Sequence, residues 1–402
     1  MVSRPPLPVR KVAVLGAGVM GAQIAAHLVN ANVPVILYEL TATEGDPNGN
    51  VLKAVDGMRK LEPSALASAA NAAYIEPANY DQHLERLREC DLVIEAVAER
   101  MDIKTALYDK VAPYVGEHAV FASNTSGLSI DTLAQALPSV LRPRFCGVHF
   151  FNPPRYMYLV ELISARDTQA RVLDDLEVFL TTTLGKGVIR AKDTPNFIAN
   201  RVGVFSILSA FYHTQRLGLG FDTVDALTGP LIGRPKSATY RTADVVGLDT
   251  LAHVVETMKA SLPDDPWHKY FDLPQWYRSL LDQKAFGQKT GRGVYRKAGG
   301  HIEVLDLGQM DYRPSVVEAD PTVAEIAKVK DPAQRLERLR ESRHPQAQFL
   351  WSAMRDMLHY CAFHLADIAD NARDLDLAVR WGFGWNEGPF EIWQAAGWDR
   401  VA

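Results

Sequence analysis

The most restrictive feature of this chain is a glycine triplet near its start. An apolar run, VRKVAVL (9–15), leads directly into Gly16-Ala17-Gly18-Val19-Met20-Gly21, and a helical pattern, AQIAAHLVNAN, follows. A second apolar run, PVILYEL, then ends at Glu39-Leu40. Strand, tight turn, helix and strand at these lengths predict a βαβ unit. Gly16 suits the tight turn, Gly18 lets the backbone approach a pyrophosphate, and Gly21 lets helix and strand pack closely. The amides of Val19 and Met20 then face phosphates from the positive end of the helix. Glu39, 18 residues beyond Gly21, is placed to accept hydrogen bonds from ribose hydroxyls and to repel a 2′-phosphate. No arginine follows in Leu40-Thr41-Ala42, so the expected cofactor is NAD rather than NADP.

Further short apolar runs at 91–97, 119–124, 145–151 and 158–164 read as buried strands, and residues 51–88 carry helical periodicity. The TATEGDPNGN segment between Glu39 and residue 51 is a Gly/Pro/Asn cluster and reads as a loop. Strands alternating with helices predict a mainly parallel sheet covered on both faces. After residue 190 the spacing turns helical. The expected fold is therefore an α/β, Rossmann-type doubly wound domain over 1–190, with a boundary at 188–194, followed by all-α domains. The first helical domain is placed at 191–296, an irregular linker with one charged helix at 297–348, and a second helical unit at 349–402. The second reads as a repeat of the first. DALTGPLIG from Asp225 and VVGLD ending at Asp249 return as DLAVRWGFG from Asp376 and AAGWD ending at Asp399, offset by 151 and 150 residues. The chain stops just after Asp399, which reads as a truncated second unit.

The formal charge of −5 argues against nucleic acid or an anionic membrane surface as partner. No apolar stretch is long enough to span a bilayer, and MVSRPPLPVRK has no apolar core of a secretory signal. Cys90, Cys146 and Cys361 lie far apart without a C-x-x-C pair. A reducing, cytoplasmic setting with neither disulfides nor a metal site is expected.

Four polar residues stand where chemistry is expected, at strand ends or at the start of the helical region. They are Ser126 in SNTSGL, His149 in GVHFFNP, Glu161 in LVELI and Asn200 in DTPNFIANR. The carboxyl ends of parallel strands are where open α/β sheets bind and transform ligands. His149 and Glu161 are 12 residues apart on two expected strands joined by Asn152-Pro153-Pro154. A carboxylate on one imidazole nitrogen fixes the tautomer and raises the basicity of the other. Such a base takes the proton of an alcohol as hydride leaves for nicotinamide.

NTSGL, HFFNPP-x(4)-LVE, KDTPNFIANR and KTGRGVY occur in order, and with the glycine turn they span residues 11–296. Together they resemble the 3-hydroxyacyl-CoA dehydrogenase family of fatty-acid β-oxidation. The RWGFGWNEGPFE run is similar to the second C-terminal unit of long multifunctional members, whose hydratase module is not claimed for this chain. The resemblance implies His149 as base, Glu161 as its orienting carboxylate, and Ser126 and Asn200 as contacts to the substrate's oxygens. It places Glu99, Lys104, Asn124, Asn152 and Lys289 on the cofactor side. It implies oxidation of an L-3-hydroxyacyl-CoA to the 3-ketoacyl-CoA, with an acyl-CoA thioester as the partner molecule. Gly127 and Asn196 depart from the family's usual serine and glycine, and the segment after Glu39 does not align. Lys53, Arg59 and Lys60 there read as a solvated basic face or as contacts to CoA phosphates. Two other readings stay open, a dehydrogenase of a small 3-hydroxy acid and a non-catalytic Rossmann protein. Tandem helical units that cover each other predict a monomer.

Overall fold

The computed structural model describes residues 8–400, the side chain of Arg400 excepted. The stretch MVSRPPL and the last two residues, on which the signal and truncation readings partly rest, lie outside it. The described residues form two compact units that divide between Phe197 and Ile198.

The first unit runs β1 Val12–Leu15, α1 Val19–Asn30, β2 Val35–Glu39, α2 Gly49–Met58, β3 Ile75–Asn79, β4 Leu92–Glu95, α3 Met101–Val111, β5 Val120–Ser123, α4 Ile130–Gln135, β6 Phe145–Phe150, β7 Leu159–Ser164, α5 Ala170–Thr182 and β8 Gly187–Ala191. The eight strands form one sheet in the order β3-β2-β1-β4-β5-β6-β7-β8. All neighbours are parallel except β6 and β7. Strands such as VAVL and LVIE are fully buried, as expected for a sheet covered on both faces. Because β7 runs back against β6, the end of β6 and the start of β7 lie at the same edge, the carboxyl edge of the first six strands.

One expectation changes here, and one boundary is refined. The helical reading of 51–88 missed β3. Pro77 and Asn79 weaken its strand signal, but it is an edge strand paired only to β2, where a proline is tolerated. The boundary at 188–194 falls inside β8 and its exit, because GVIRA pairs with β7 as the last strand of the sheet. The two compact units divide a few residues further on, at 197/198.

The second unit runs α6 Ala199–Leu217, α7 Phe221–Thr228, α8 Tyr240–Val246, α9 Leu248–Ser261, α10 Gln275–Asp282, β9 Tyr295–Ala298, β10 His301–Asp306, β11 Asp311–Pro314, α11 Pro321–Ala327, α12 Pro332–Glu341, α13 Pro345–Ile368, α14 Ala372–Phe383 and α15 Pro389–Ala396. It is helical but not all-α. The presumed linker 297–348 holds most of an antiparallel three-stranded sheet and two helices. The β9–β10 turn is Gly299-Gly300, both with positive φ, as two-residue hairpins require. The single charged helix is two, since Asp331 caps α12 through Ala333 N (2.9 Å) and Pro332 opens it.

Asp225 Oδ1 accepts from Thr239 N (3.0 Å) and Tyr240 N (2.7 Å), stapling α7 to the start of α8. Asp376 accepts from Phe390 N (2.8 Å) and Glu391 N (2.9 Å), stapling α14 to α15. Gly233 and Gly384 both have left-handed backbone (φ 72° and 67°). Gly233 O accepts from Asn386 N at 2.8 Å, while a Cβ on Gly384 would meet Pro235 Cγ at 3.1 Å.

Cys90, Cys146 and Cys361 are free and buried. Burial pushes the thiols of Cys90 and Cys146 up to about 12 and that of Cys361 well above its ordinary value. Among the described residues no helix is long and apolar enough to cross a membrane, and no cluster of potential metal ligands occurs.

Candidate active site

The glycine turn lies between β1 and α1. Gly16 has φ +103°, and a Cβ there would meet Ala96 O at 2.8 Å. A Cβ on Gly21 would lie 1.9 Å from Gly16 O, whereas one on Gly18 would meet nothing within 4 Å. Two glycines therefore close the turn against β4, and the third keeps its outer side open. The hydrogen-bond ladder of α1 begins with Ala22 N to Gly18 O (3.0 Å), so the Val19 and Met20 amides precede it. Glu39 Oε2 accepts from Ala17 N at 2.7 Å and Oε1 from Leu40 N at 2.9 Å. A cleft of about 520 Å³ opens here, lined by Gly16, Gly18, Glu39, Leu40, Tyr80 and residues 96–98 among others. A dinucleotide fits these residues: open backbone for a pyrophosphate, helix-end amides for its charge, and an oriented carboxylate for a ribose.

His149 stands near the end of β6, directly opposite Glu161 of β7 in the antiparallel register. Its Nδ1 lies 2.8 Å from Glu161 Oε2, and the two side chains are 4% and 0% exposed. The carboxylate can only accept, so Nδ1 is the donor of this bond, which in the neutral ring leaves the lone pair on Nε2. The rings of Phe151 (4.5 Å) and Phe197 (5.6 Å) flank the imidazole. Phe197 and Asn196 both hold left-handed backbone (φ 53° and 61°).

A second carboxylate organises the loop after β5. Glu99 Oε1 accepts from the Thr125 hydroxyl (2.5 Å), Ser126 N (2.8 Å) and Gly127 N (2.9 Å). Burial pushes the Glu99 carboxyl up, but Lys104 and these donors outweigh it and hold it below the ordinary value. Lys104 is 1% exposed, with Nζ 3.5 Å from Glu99 and only 2.6 Å from Glu95. Glu95, which sequence reasoning passed over, is fully buried at the end of β4. It also accepts from the Tyr108 (2.9 Å) and Ser123 (2.7 Å) hydroxyls and from Val97 N (2.9 Å). Its signal was a lone carboxylate in the apolar run LVIEAV.

Asn124 Oδ1 accepts from Phe150 N (2.9 Å), tying the ends of β5 and β6. Asn152 Oδ1 accepts from Gln23 of α1 (3.2 Å). Asp193, also passed over, takes Ser129 Oγ, Ile130 N and Asp131 N and so caps α4 (2.8–2.9 Å). In the second unit Asn200 lies in the first turn of α6, and Lys289 pairs with Asp249 (2.6 Å). Lys53, Arg59 and Lys60 are exposed.

A doubly wound sheet with a glycine turn of this build is the architecture of dinucleotide-binding dehydrogenases. Residues 11–194 match the profile of the 3-hydroxyacyl-CoA dehydrogenase NAD-binding domain, and 197–297 that of the family's C-terminal domain. A Deinococcus radiodurans protein named "Probable 3-hydroxyacyl-CoA dehydrogenase" is 40% identical over 72% of this chain and 84% of its own length. A Bacillus subtilis protein of the same name is 37% identical over 97% of this chain and 51% of its own. The chain thus spans about half the length of that relative. The chain belongs to the 3-hydroxyacyl-CoA dehydrogenase family and carries its NAD-binding domain. Among solved structures, 3-hydroxybutyryl-CoA dehydrogenase from Escherichia coli shares the fold over 98% of this chain and 93% of its own (TM-score 0.73, 22% identity). The (S)-3-hydroxybutyryl-CoA dehydrogenase of Ralstonia eutropha covers 72% of this chain with all of its own (TM-score 0.59, 29% identity).

Proposed function

We propose that this protein oxidises an L-3-hydroxyacyl-CoA to the 3-ketoacyl-CoA with NAD, with His149 as general base. The observation that carries this is the buried cross-strand pair of His149 and Glu161. His149 Nε2 takes the hydroxyl proton, and Glu161 stabilises the imidazolium that results. Bound NAD supplies the hydride acceptor, held by Gly16, Gly18, Val19, Met20, Gly21 and Glu39. Ser126 and, by its motif, Asn200 donate to the substrate's oxygens. Glu99, Lys104, Asn124, Asn152 and Lys289 keep their family assignment on the cofactor side, and Glu99, with Lys104 beside it, also holds the Ser126 loop.

In the test, NADH formation from 3-hydroxyacyl-CoA is followed for wild type and His149→Ala. The variant is expected to lose about 10²–10⁴-fold in kcat while still binding NAD. Full activity would remove His149 as the base. Turnover of the free 3-hydroxy acid in place of the thioester would favour the small-acid reading, and NAD binding without turnover of either the non-catalytic one.

The second helical region is proposed as a repeat of the first, packed on it within one chain, so that the protein is a monomer. The paired staples of Asp225 and Asp376 support this. So does the reciprocal meeting of Gly233 with Asn386 and of Gly384 with Pro235, because residues 235 and 386 differ by the repeat offset of 151. Reciprocity of this kind is the mark of a two-fold contact. On this reading the second copy starts with α13, at Pro345 rather than Phe349. A cytoplasmic setting is part of the same proposal.

A further inference from the structure

We infer that Arg201 is a positioning residue for the reaction and that α13, in the second helical region, is its anchor, so that residues 345–396 belong to the catalytic apparatus. This rests on the proposed role of Asn200, the neighbour of Arg201 in the first turn of α6.

The Arg201 guanidinium is 3% exposed, and a buried charge must be met by donors and acceptors that hold it. The nearest carboxylate oxygen, Asp265 Oδ2, lies 3.5 Å away. The closer partner comes from α13: Arg201 Nε donates to the Tyr360 hydroxyl at 2.5 Å. Arg201 Nη2 also meets His364 Nδ1 at 3.4 Å. An arginine only donates, so His364 accepts through Nδ1, and its Nε2 lies 3.0 Å from Asp265 Oδ2.

α6 meets the second region at three more points. The rings of Phe205 and Tyr360 stack with centroids 3.7 Å apart. A Cβ on Gly203 would lie 2.1 Å from Phe383 Cζ, so α6 touches that ring with its bare backbone. Deeper along the helix, His213 Nε2 lies 2.7 Å from Asp356 Oδ2. The helix that carries Asn200 is therefore held by residues 356–383 at successive points, beginning at Arg201 in the same turn as Asn200. A donor aimed at an oxygen loses its effect when its backbone shifts by fractions of an ångström.

The experiment uses the full chain, NAD and 3-hydroxybutyryl-CoA as the probe substrate. Tyr360→Phe removes the acceptor with little change of volume, and Arg201→Lys keeps the charge but loses the fork that meets two partners. Each is expected to lower kcat about 10- to 100-fold with the KM for NAD unchanged. In an Asn200→Ala background, Tyr360→Phe is expected to cost nothing further. Should Tyr360→Phe fail to fold by circular dichroism, His364→Gln takes its place. Wild-type kcat in either single variant overturns the inference, as do losses that add to Asn200→Ala and a KM for NAD that rises in step. An Asn200→Ala variant with full activity removes the role of Asn200 and the inference with it, whereas a slow Asn200→Ala beside a normal Tyr360→Phe removes the inference alone.

Discussion

His27 shows how one side chain sets a pH window. It lies on α1, and its Nε2 donates to Leu184 O at 3.2 Å. Burial first, then the nearby Lys186 ammonium, lowers its pKa from 6.5 to about 4. Between those values the unfolded chain takes up a proton that the folded histidine refuses. Its contribution to stability is therefore complete above pH 6.5 and lost as the pH falls towards 4. Urea midpoints measured across this window should fall more steeply in wild type than in His27→Gln; parallel profiles would contradict this. Residues of this kind escape sequence reading, since nothing in AAHLVN announces a carbonyl 157 positions away. His149 was legible because its partner is only 12 residues off, across a single turn.

At the scale of elements, β4 and α3 depend on the Glu95–Lys104 pair, both members of which are out of water. Removing the Glu95 charge leaves the buried Lys104 with only the more distant Glu99 carboxylate, 3.5 Å away. Glu95→Gln is expected to cost about 3–5 kcal/mol, and Glu95→Gln with Lys104→Met to recover much of it. Thermal melts of the two variants check this, and a double variant no more stable than the single one would contradict it. The glycine turn and the buried strands were legible because their signals are local and strong. β3 was not, since IEPAN becomes a strand only through its pairing with β2. The sheet of β9–β11 was missed because YRKA and DYRP have too little apolar alternation to stand out, although Gly299-Gly300 marked its first turn. Glu95 looked like an interruption in an apolar strand until Lys104, Tyr108 and Ser123 supplied its donors.

For the whole molecule, the proposed packing of one helical copy on the other makes a prediction about mass. If the two-fold contact is already made inside the chain, light scattering should give about 44.5 kDa across a wide concentration range. A stable dimer built through α6 and α7 would contradict it. The proposal of two copies was suggested by the 151-residue offset in the sequence, whereas the sheet of β9–β11 and the helices α11 and α12 that follow it were not legible there. The buried sulfurs have a practical consequence. With all three thiols shielded and poorly ionised, the native protein offers alkylating reagents and peroxide almost no thiolate. A cysteine introduced at an exposed position such as Val140 would then be a unique handle for a fluorophore or spin label, with no background substitutions needed.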